Sequence, residues 1–463
     1  MKTTSRFAVV AAAGMFMGGI ALTPAQAADL GGDCCADLEE RVAELEATTV
    51  RKGNRKVSLK ISGHINRVLM FWDDGDEQDV YAVDNGGGGS RWRFTGSATI
   101  RPGWSAGYNF EWQYTSATTD GSNQVSLNSR NVGGLVLRNA AWYMKWDKFG
   151  RVWLGQYSSA TDNLIYMNIV GEGCLGQTCG ELYHAPGMFL VRPGVTGNGR
   201  LIRGTSWGQF QPNFDRANRH DLIRYDTPSI WGCVFSASWG ENDIWDTAVR
   251  CKKELNSVKI IFGIGYIERN GNEAGESRTH LLGVPGASRA THERDFIAAG
   301  SILHDPTGLY LNVSYAKREF DRAAVFGAIA GVPRNGHTGC TAGGSTGCAD
   351  VQYLYIQGGI RRRLNDLGKT TFYIDYSRIE DARVGNSGTA FAGPNNAVIT
   401  DAESEVWGFG IVQNIDNAAL QLYLDYKHHE LDVQTCTSVS SGVCTNQAIK
   451  DLDTLVVGGK IKF

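Results

Sequence analysis

The stretch Trp104–Thr115, WSAGYNFEWQYT, decides the fold. Trp104, Ala106, Tyr108, Phe110, Trp112 and Tyr114 are apolar or aromatic, whereas Ser105, Gly107, Asn109, Glu111, Gln113 and Thr115 are small or polar. Successive side chains of an extended strand point to opposite faces, so this alternation spells a two-faced β-strand. One face suits water. The other, rich in large rings, needs an apolar medium.

The same alternation recurs on both sides of that stretch. Upstream, Trp92, Phe94, Ala98 and Ile100 oppose Arg91, Arg93, Thr95, Ser97, Thr99 and Arg101, and Arg101-Pro102-Gly103 turns the chain tightly into Trp104. Val57, Leu59, Ile61 and Ile65 alternate with Ser58, Lys60, Ser62, His64 and Asn66. Downstream, Trp231–Trp239, Val258–Tyr266, Leu309–Tyr315 and Leu420–Tyr426 repeat the pattern; Ile244–Glu254 is the least regular segment. Short turns at 101–103, 147–150, 227–229, 305–308, 365–369 and 414–418 take turns with long polar loops near 73–89, 117–133, 158–218, 270–292, 321–350, 381–402 and 431–450.

Short turns on one rim and long loops on the other are the plan of a membrane-spanning barrel. A soluble sandwich would turn its apolar face inward and carry less regular loops. After the first residues no apolar run approaches the ~20 residues of a membrane helix, so a chain that crosses lipid here must close into a barrel. The expected fold is all-β: a transmembrane antiparallel β-barrel of about 16 strands over residues 57–463, even-numbered as single-chain antiparallel closure requires. In this reading the aromatic face looks at lipid, with Trp104 and Tyr114 in girdles at the two interfaces.

Residues 1–27 read as a secretory signal peptide. Lys2 and Arg6 supply its positive end, Phe7–Ile20 its short apolar run, and Ala25-Gln26-Ala27 its small-residue cleavage site. The chain has 45 basic and 48 acidic residues, and losing Lys2 and Arg6 makes it more acidic, which argues against a nucleic-acid partner. Residues 28–56 form a leader containing DCCADLEERVAELEATT, with Cys35, Leu38, Val42, Leu45 and Thr49 at coiled-coil spacing. So short a helix is marginal alone, so either several subunits associate through it or it frays before the first strand. Cys34 and Cys35 could link subunits. At the other end LVVGGKIKF puts Leu455, Val457, Gly459, Ile461 and Phe463 on one face and ends on an aromatic, resembling the signal by which barrel-assembly machinery recognises its substrates.

Two blocks carry a family resemblance. RNAAWYMKWDKFGRVWLGQYSSATD (Arg138–Asp162) is similar to the porin hairpin that leads into the pore-constricting loop, and RHDLIRYDTPSIWGCVFSASWGENDIWDTAV (Arg219–Val249) to the segment that follows it. With the leader, the chain resembles the general porins of alphaproteobacteria over most of residues 30–463. The resemblance implies a sixteen-stranded homotrimer in the outer membrane, passing small hydrophilic solutes and ions passively. Its third external loop, here 158–218, would fold inward; this one carries the extra basic residues Arg192, Arg200, Arg203 and Arg216.

A diffusion pore needs polar walls and charges that select ions, not bond-making groups. Arg91 and Arg93 share the expected inner face, with Arg101 near its short-turn end; Arg138 and Arg224 are further wall candidates. Against them stand Glu111 on the next strand and Asp162, Glu172 and Glu181 on the inserted loop, giving a basic wall and an acidic loop that face one another. Cys174/Cys179, Cys340/Cys348 and Cys436/Cys444 each fall within one external loop and read as local disulfides, as an oxidising surface allows. Cys233 would meet Cys251 if Trp231–Gly240 pairs with Ile244–Glu254 around Asn242, setting Phe235 against Val249 and Trp239 against Trp245. The pairs lack zinc-site spacing, so neither a metal nor another cofactor is expected.

HExxH, GxSxG and P-loop motifs are absent from the sequence; NGGGGS (Asn85–Ser90) reads as a flexible loop and His428-His429-Glu430 as rim. An enzyme is therefore not expected, with a Ser/His/Asp hydrolase at the outer rim as the remote alternative. A substrate-specific channel, the other alternative, would show an aromatic track along the bore, whereas most rings here are assigned outward.

Overall fold

A computed structural model describes residues 56–115, 117–126, 134–170, 184–215, 219–270, 292–320, 350–383, 391, 398–436 and 444–463. Its strands are β1 (Lys60–Asp73), β2 (Gln78–Asp84), β3 (Arg91–Arg101), β4 (Trp104–Thr115), β5 (Gly134–Trp146), β6 (Gly150–Ser158), β7 (Phe189–Val191), β8 (Leu201–Ser206), β9 (Arg219–Asp226) and β10 (Cys233–Gly240). They continue with β11 (Ile244–Leu255), β12 (Val258–Asn270), β13 (His292–His304), β14 (Leu309–Phe320), β15 (Val351–Asn365), β16 (Gly368–Glu380), β17 (Val398–Ile415), β18 (Leu420–Cys436), β19 (Cys444–Gln447) and β20 (Leu452–Lys462).

Antiparallel neighbours run round the wall, and β1 pairs with β20 to close it, Ile65 lying opposite Ile461. Gly63 and Phe463 seal that seam with two backbone hydrogen bonds of 2.9 and 3.1 Å. β2 continues the line of β3 along β1, and β19 that of β20 along β18. The wall is thus a closed barrel of 16 strands, two of them interrupted. Closure leaves no sheet edge unpaired in lipid, the condition for crossing a bilayer with strands. Gly103 and Gly150 stand at φ 75° and 95° in two of the short turns, a conformation that costs glycine nothing.

The outer face is as the alternation demands. Trp92, Ile100, Tyr114, Trp142 and Leu154 are exposed, and the rings Phe94, Phe110 and Trp112 pack together across β3 and β4. The irregular segment is strand β11. Its register sets Cys233 against Cys251, Phe235 against Val249 and Trp239 against Trp245, and Cys233–Cys251 is a disulfide. Its pattern is mixed because the polar Thr247 shares the outer face with Trp245 while the small apolar Ala248 faces in beside Asp246.

The inner face departs from the sequence reading. It is not polar throughout: Val68, Met70 and Trp72 of β1 point inward with Tyr81 and Val83, and join Met188, Leu190, Trp207 and Phe210 of the 159–218 segment in one apolar cluster. A second cluster joins Leu164, Ile165 and Phe214 to Ile297, Tyr353, Tyr355 and Ile379. The assignment of most rings to lipid therefore fails for Trp72, Tyr353, Tyr355, Tyr373 and Tyr423, all buried inside. The reason is that the inserted segment supplies its own apolar side chains, so the wall beneath it is apolar at the positions they cover. Glycines make the room: a Cβ on Gly263 or on Gly265 would stand 2.5 Å from a methyl carbon of Leu164.

Asn85–Ser90 is likewise an ordered turn rather than a flexible loop. Asn85 Oδ1 accepts from the amides of Gly87 (2.9 Å) and Gly88 (3.1 Å), and Gly88 O accepts from Asn66 Nδ2 at 3.0 Å. His429 is not rim. β18 runs on to Cys436, which leaves the His429 ring buried beside Trp207, Nδ1 3.1 Å from Gln211 Nε2.

Candidate functional site

The expected basic wall sits on β3, β4 and β5, and one carboxylate organises it. Glu111 pairs in register with Arg93, whose Nε donates to Oε2 at 2.5 Å. Arg138 Nε donates to Oε1 at 2.9 Å while its Nη1 donates to Gln113 Oε1 at 2.6 Å. Arg91 Nη1 lies 3.6 Å from Oε1, and its Nε donates to Gly89 O at 3.0 Å. The Glu111 side chain is 1% exposed and that of Arg93 43%, so the carboxylate lies at the bottom and Arg93 faces the lumen. Three guanidinium groups around one carboxylate leave a positive surplus.

Arg138 reaches this cluster through a bulge. The register of β4 on β5 slips between Glu111 and Trp112, which face Asn139 and Leu137, so Arg138 is the unpaired extra residue. Bulges re-aim side chains in this way. A second slip, between Thr99 and Arg101, removes Arg101 from the expected inner face: it pairs with Trp104, and its guanidinium lies 4.7 Å from the centre of that outward ring. One extra residue reverses the facing of everything beyond it.

The inserted segment docks on the opposite wall. Asp246 of β11 accepts from Ala160 N (3.1 Å), Thr161 N (2.7 Å) and Thr161 Oγ1 (2.5 Å), and Arg250 donates to Asp162 O at 2.8 Å. Further on, Ser314 Oγ donates to Ile165 O at 2.7 Å, and Asn168 Nδ2 to Gln357 Oε1 at 2.9 Å. The returning limb is held by His184 Nε2, 2.8 Å from Asp425 Oδ2, and by Gln211 Nε2, 3.0 Å from Ser404 Oγ. Arg200 is no free cation: Nη1 is 2.6 Å from Asp74 Oδ2, and Nη2 pairs with Glu77.

Asp162 lies within this docking, its Oδ2 2.9 Å from Arg219 Nη2. Burial and the neighbouring Asp162 carboxyl push the loop residue Asp215 well above the usual carboxylate range. Arg224 is turned to Asp226 (2.8 Å) and to the carbonyls of Ser158 and Ser159 (3.2 and 2.8 Å). Glu172, Glu181, Arg216, Cys34, Cys35, Cys174, Cys179, Cys340 and Cys348 lie outside the described residues, as do the signal peptide and most of the leader. Cys436–Cys444 is a disulfide that joins β18 to β19.

The sequence reading passed over Asp246, Arg250, His184 and Asp425, which bolt the inserted segment down. For Asp246 and Arg250 a signal existed. The expected pairing about Asn242 puts both on the inner face opposite Ser238 and Val234. His184 carries no such mark, because no periodicity governs a loop.

A family model described as Gram-negative porin matches residues 8–442. No curated protein matches the chain. Among solved structures, the anion-selective porin from Comamonas acidovorans is 14% identical and superposes with a TM-score of 0.52, covering 88% of this chain and 100% of that one. In-vitro folded OmpT of Vibrio cholerae is 10% identical (90% and 99% covered, TM-score 0.49). Salmonella typhi OmpF in complex with daunomycin is 15% identical (89% and 99%, TM-score 0.47).

Proposed function

The chain belongs to the Gram-negative porin family, and from that premise we propose that it is an anion-preferring pore. The protein is an outer-membrane channel for passive diffusion. The selectivity is our reading, and one observation carries it. Glu111 is buried beneath Arg91, Arg93 and Arg138, so the charge presented to the lumen by β3–β5 is positive. A lumenal surplus of cations raises the local concentration of anions and lowers that of small cations. The similar Comamonas protein is named for the same preference.

Small hydrophilic anions are the proposed solutes, with outer-membrane lipid around the wall, a homotrimer as the assembly, and insertion directed by the strand that ends at Phe463. The boundaries proposed for the mature protein are cleavage after Ala27, a leader to residue 56, and a constriction formed by 158–218. The alphaproteobacterial subgroup rests on the leader and the two similar blocks. His184–Asp425 is read as a structural anchor, not as part of a hydrolase, because both side chains are buried where the inserted segment meets the wall. The test is a reversal-potential measurement in a planar bilayer under a salt gradient. Arg91→Ala/Arg93→Ala should move the potential toward cation preference; an unchanged potential defeats the assignment.

A further inference from the structure

The lumen holds a second basic surface, below the inserted segment, that the selectivity wall does not use. The inner faces of β5, β6, β9, β10 and β11 near the short-turn rim line a half-open cavity of 630 Å³. Ligand sites typically measure ~300–1,000 Å³. Five cations line this one, Lys145, Arg151, Arg224, Arg250 and Lys252, against the carboxylates of Asp147 and Asp226. Met167 of the inserted segment, Val234 and Ile261 give the cavity an apolar side.

The two carboxylates do not neutralise it. Asp226 is buried; its Oδ1 accepts from Arg224 Nε at 2.8 Å and Ser236 Oγ at 2.7 Å, and Arg151 Nε lies 3.5 Å from its Oδ2, so this one carboxylate is shared by two guanidinium groups. Asp147 is an exposed rim residue that pairs with Lys145 at 3.5 Å, a separation at which solvent screens most of the attraction. Arg224 and Arg250 are spent on the carbonyls that start the inserted segment. Arg151 has only its share of Asp226 and Lys145 only the exposed Asp147, and among the described residues Lys252 makes no ion pair, so these three carry the surplus charge.

Their arrangement argues for a ligand. Lys145 and Arg151 sit directly opposite one another on the same face of β5 and β6, where like charges are destabilising. The Arg151 guanidinium is fixed over Trp153 and Tyr143, 4.9 and 5.7 Å from the ring centres, so it cannot swing away from Lys145 without losing that stack. Three cations from three strands thus converge on one space with an apolar flank, a repulsion that a multivalent anion between them relieves.

We infer that this chamber is a binding site for a small organic anion carrying two or more carboxylates, engaged by Lys145, Arg151 and Lys252 as it passes the inserted segment. The inference rests on the channel reading above and names the solute class for it. Citrate is the probe, added to the short-turn side of the intact protein in a planar bilayer with chloride held constant. Citrate should reduce the chloride current with a saturable dose dependence. Lys145→Gln/Lys252→Gln leaves the Glu111 cluster intact and should raise the half-blocking concentration about tenfold, as expected for removing two charges within a few ångströms of a multivalent ion near water. A current that citrate reduces only in proportion to its concentration, or a half-blocking concentration unmoved in the double variant, overturns the site while leaving the pore standing. If the parent protein carries no ion current, the channel reading itself falls.

Discussion

Glu111 is the residue on which the proposed selectivity wall turns. It is a buried carboxylate held by two direct guanidinium hydrogen bonds, and charge-assisted bonds of this kind are roughly twice as strong as neutral ones. Glu111→Gln keeps the volume and removes the counter-charge. The anion-to-cation permeability ratio should therefore rise in Glu111→Gln and fall in Arg93→Ala, opposite signs from one ion pair, both read as reversal potentials. Asp215 gives a pH dependence. Its value in the folded chain lies above the unfolded value of ~3.9, so docking is favoured with the carboxyl protonated. That contribution is full below about pH 4 and is lost as pH rises through the folded value. Current noise from loop motion should grow with rising pH in the parent and stay flat in Asp215→Asn; equal slopes would count against the assignment. Alternation alone gave the facing of Arg91, Arg93 and Glu111. It misled for Arg101 and was blind to the aim of Arg138, because each sits at a bulge, and a single extra residue leaves no trace in hydrophobicity.

At the scale of elements, a period of two is written into the barrel strands and into no loop. Even β11 was placed correctly, because the cysteines and tryptophans of β10 had to find partners at equal distance from the turn. What the strand pattern hid was the path of the inserted segment. Val68, Met70 and Trp72 break the alternation of β1 on its long-loop half, and the break makes sense only once Leu190 and Trp207 cover it. The glycines of FGIGY (Phe262–Tyr266) are the corresponding imprint on β12. Gly265→Val would drive its side chain into Leu164 and Thr161, the nearest atoms to an added Cβ standing at 2.5 and 2.7 Å. Lifting the segment from the wall should change single-channel conductance and expose it to added protease, while heat-modifiable mobility on gels reports an intact barrel.

For the whole molecule, the barrel is a wall with a folded core on one side and a charged surface on the other. The docked segment lies on β11–β18, on β20 and on the long-loop parts of β1 and β2, and the arginine cluster lies on β3–β5. Loosening the anchor at β11 should therefore affect the size of the bore more than its charge. Asp246→Ala removes the acceptor of two backbone amides and of the hydroxyls of Thr161 and Ser238. Its expected effect is a larger or noisier conductance with little change in ion preference, and liposome swelling should admit larger sugars than in the parent. A shift in reversal potential as large as that of Arg93→Ala would tie the two sides together and contradict this division.

The inserted segment also sets an order of events in time. It follows β6, yet the seats of Ile165, Gln211 and His184 are on β14, β17 and β18. Until the strands that carry those seats are paired into the wall, this limb has nowhere to lie. Narrowing is therefore expected to follow the pairing of these strands and the closing of the seam between Gly63 and Phe463. Pulse-labelled protein should be cleaved within 184–215 at early chase times and resist cleavage there once the seam has formed.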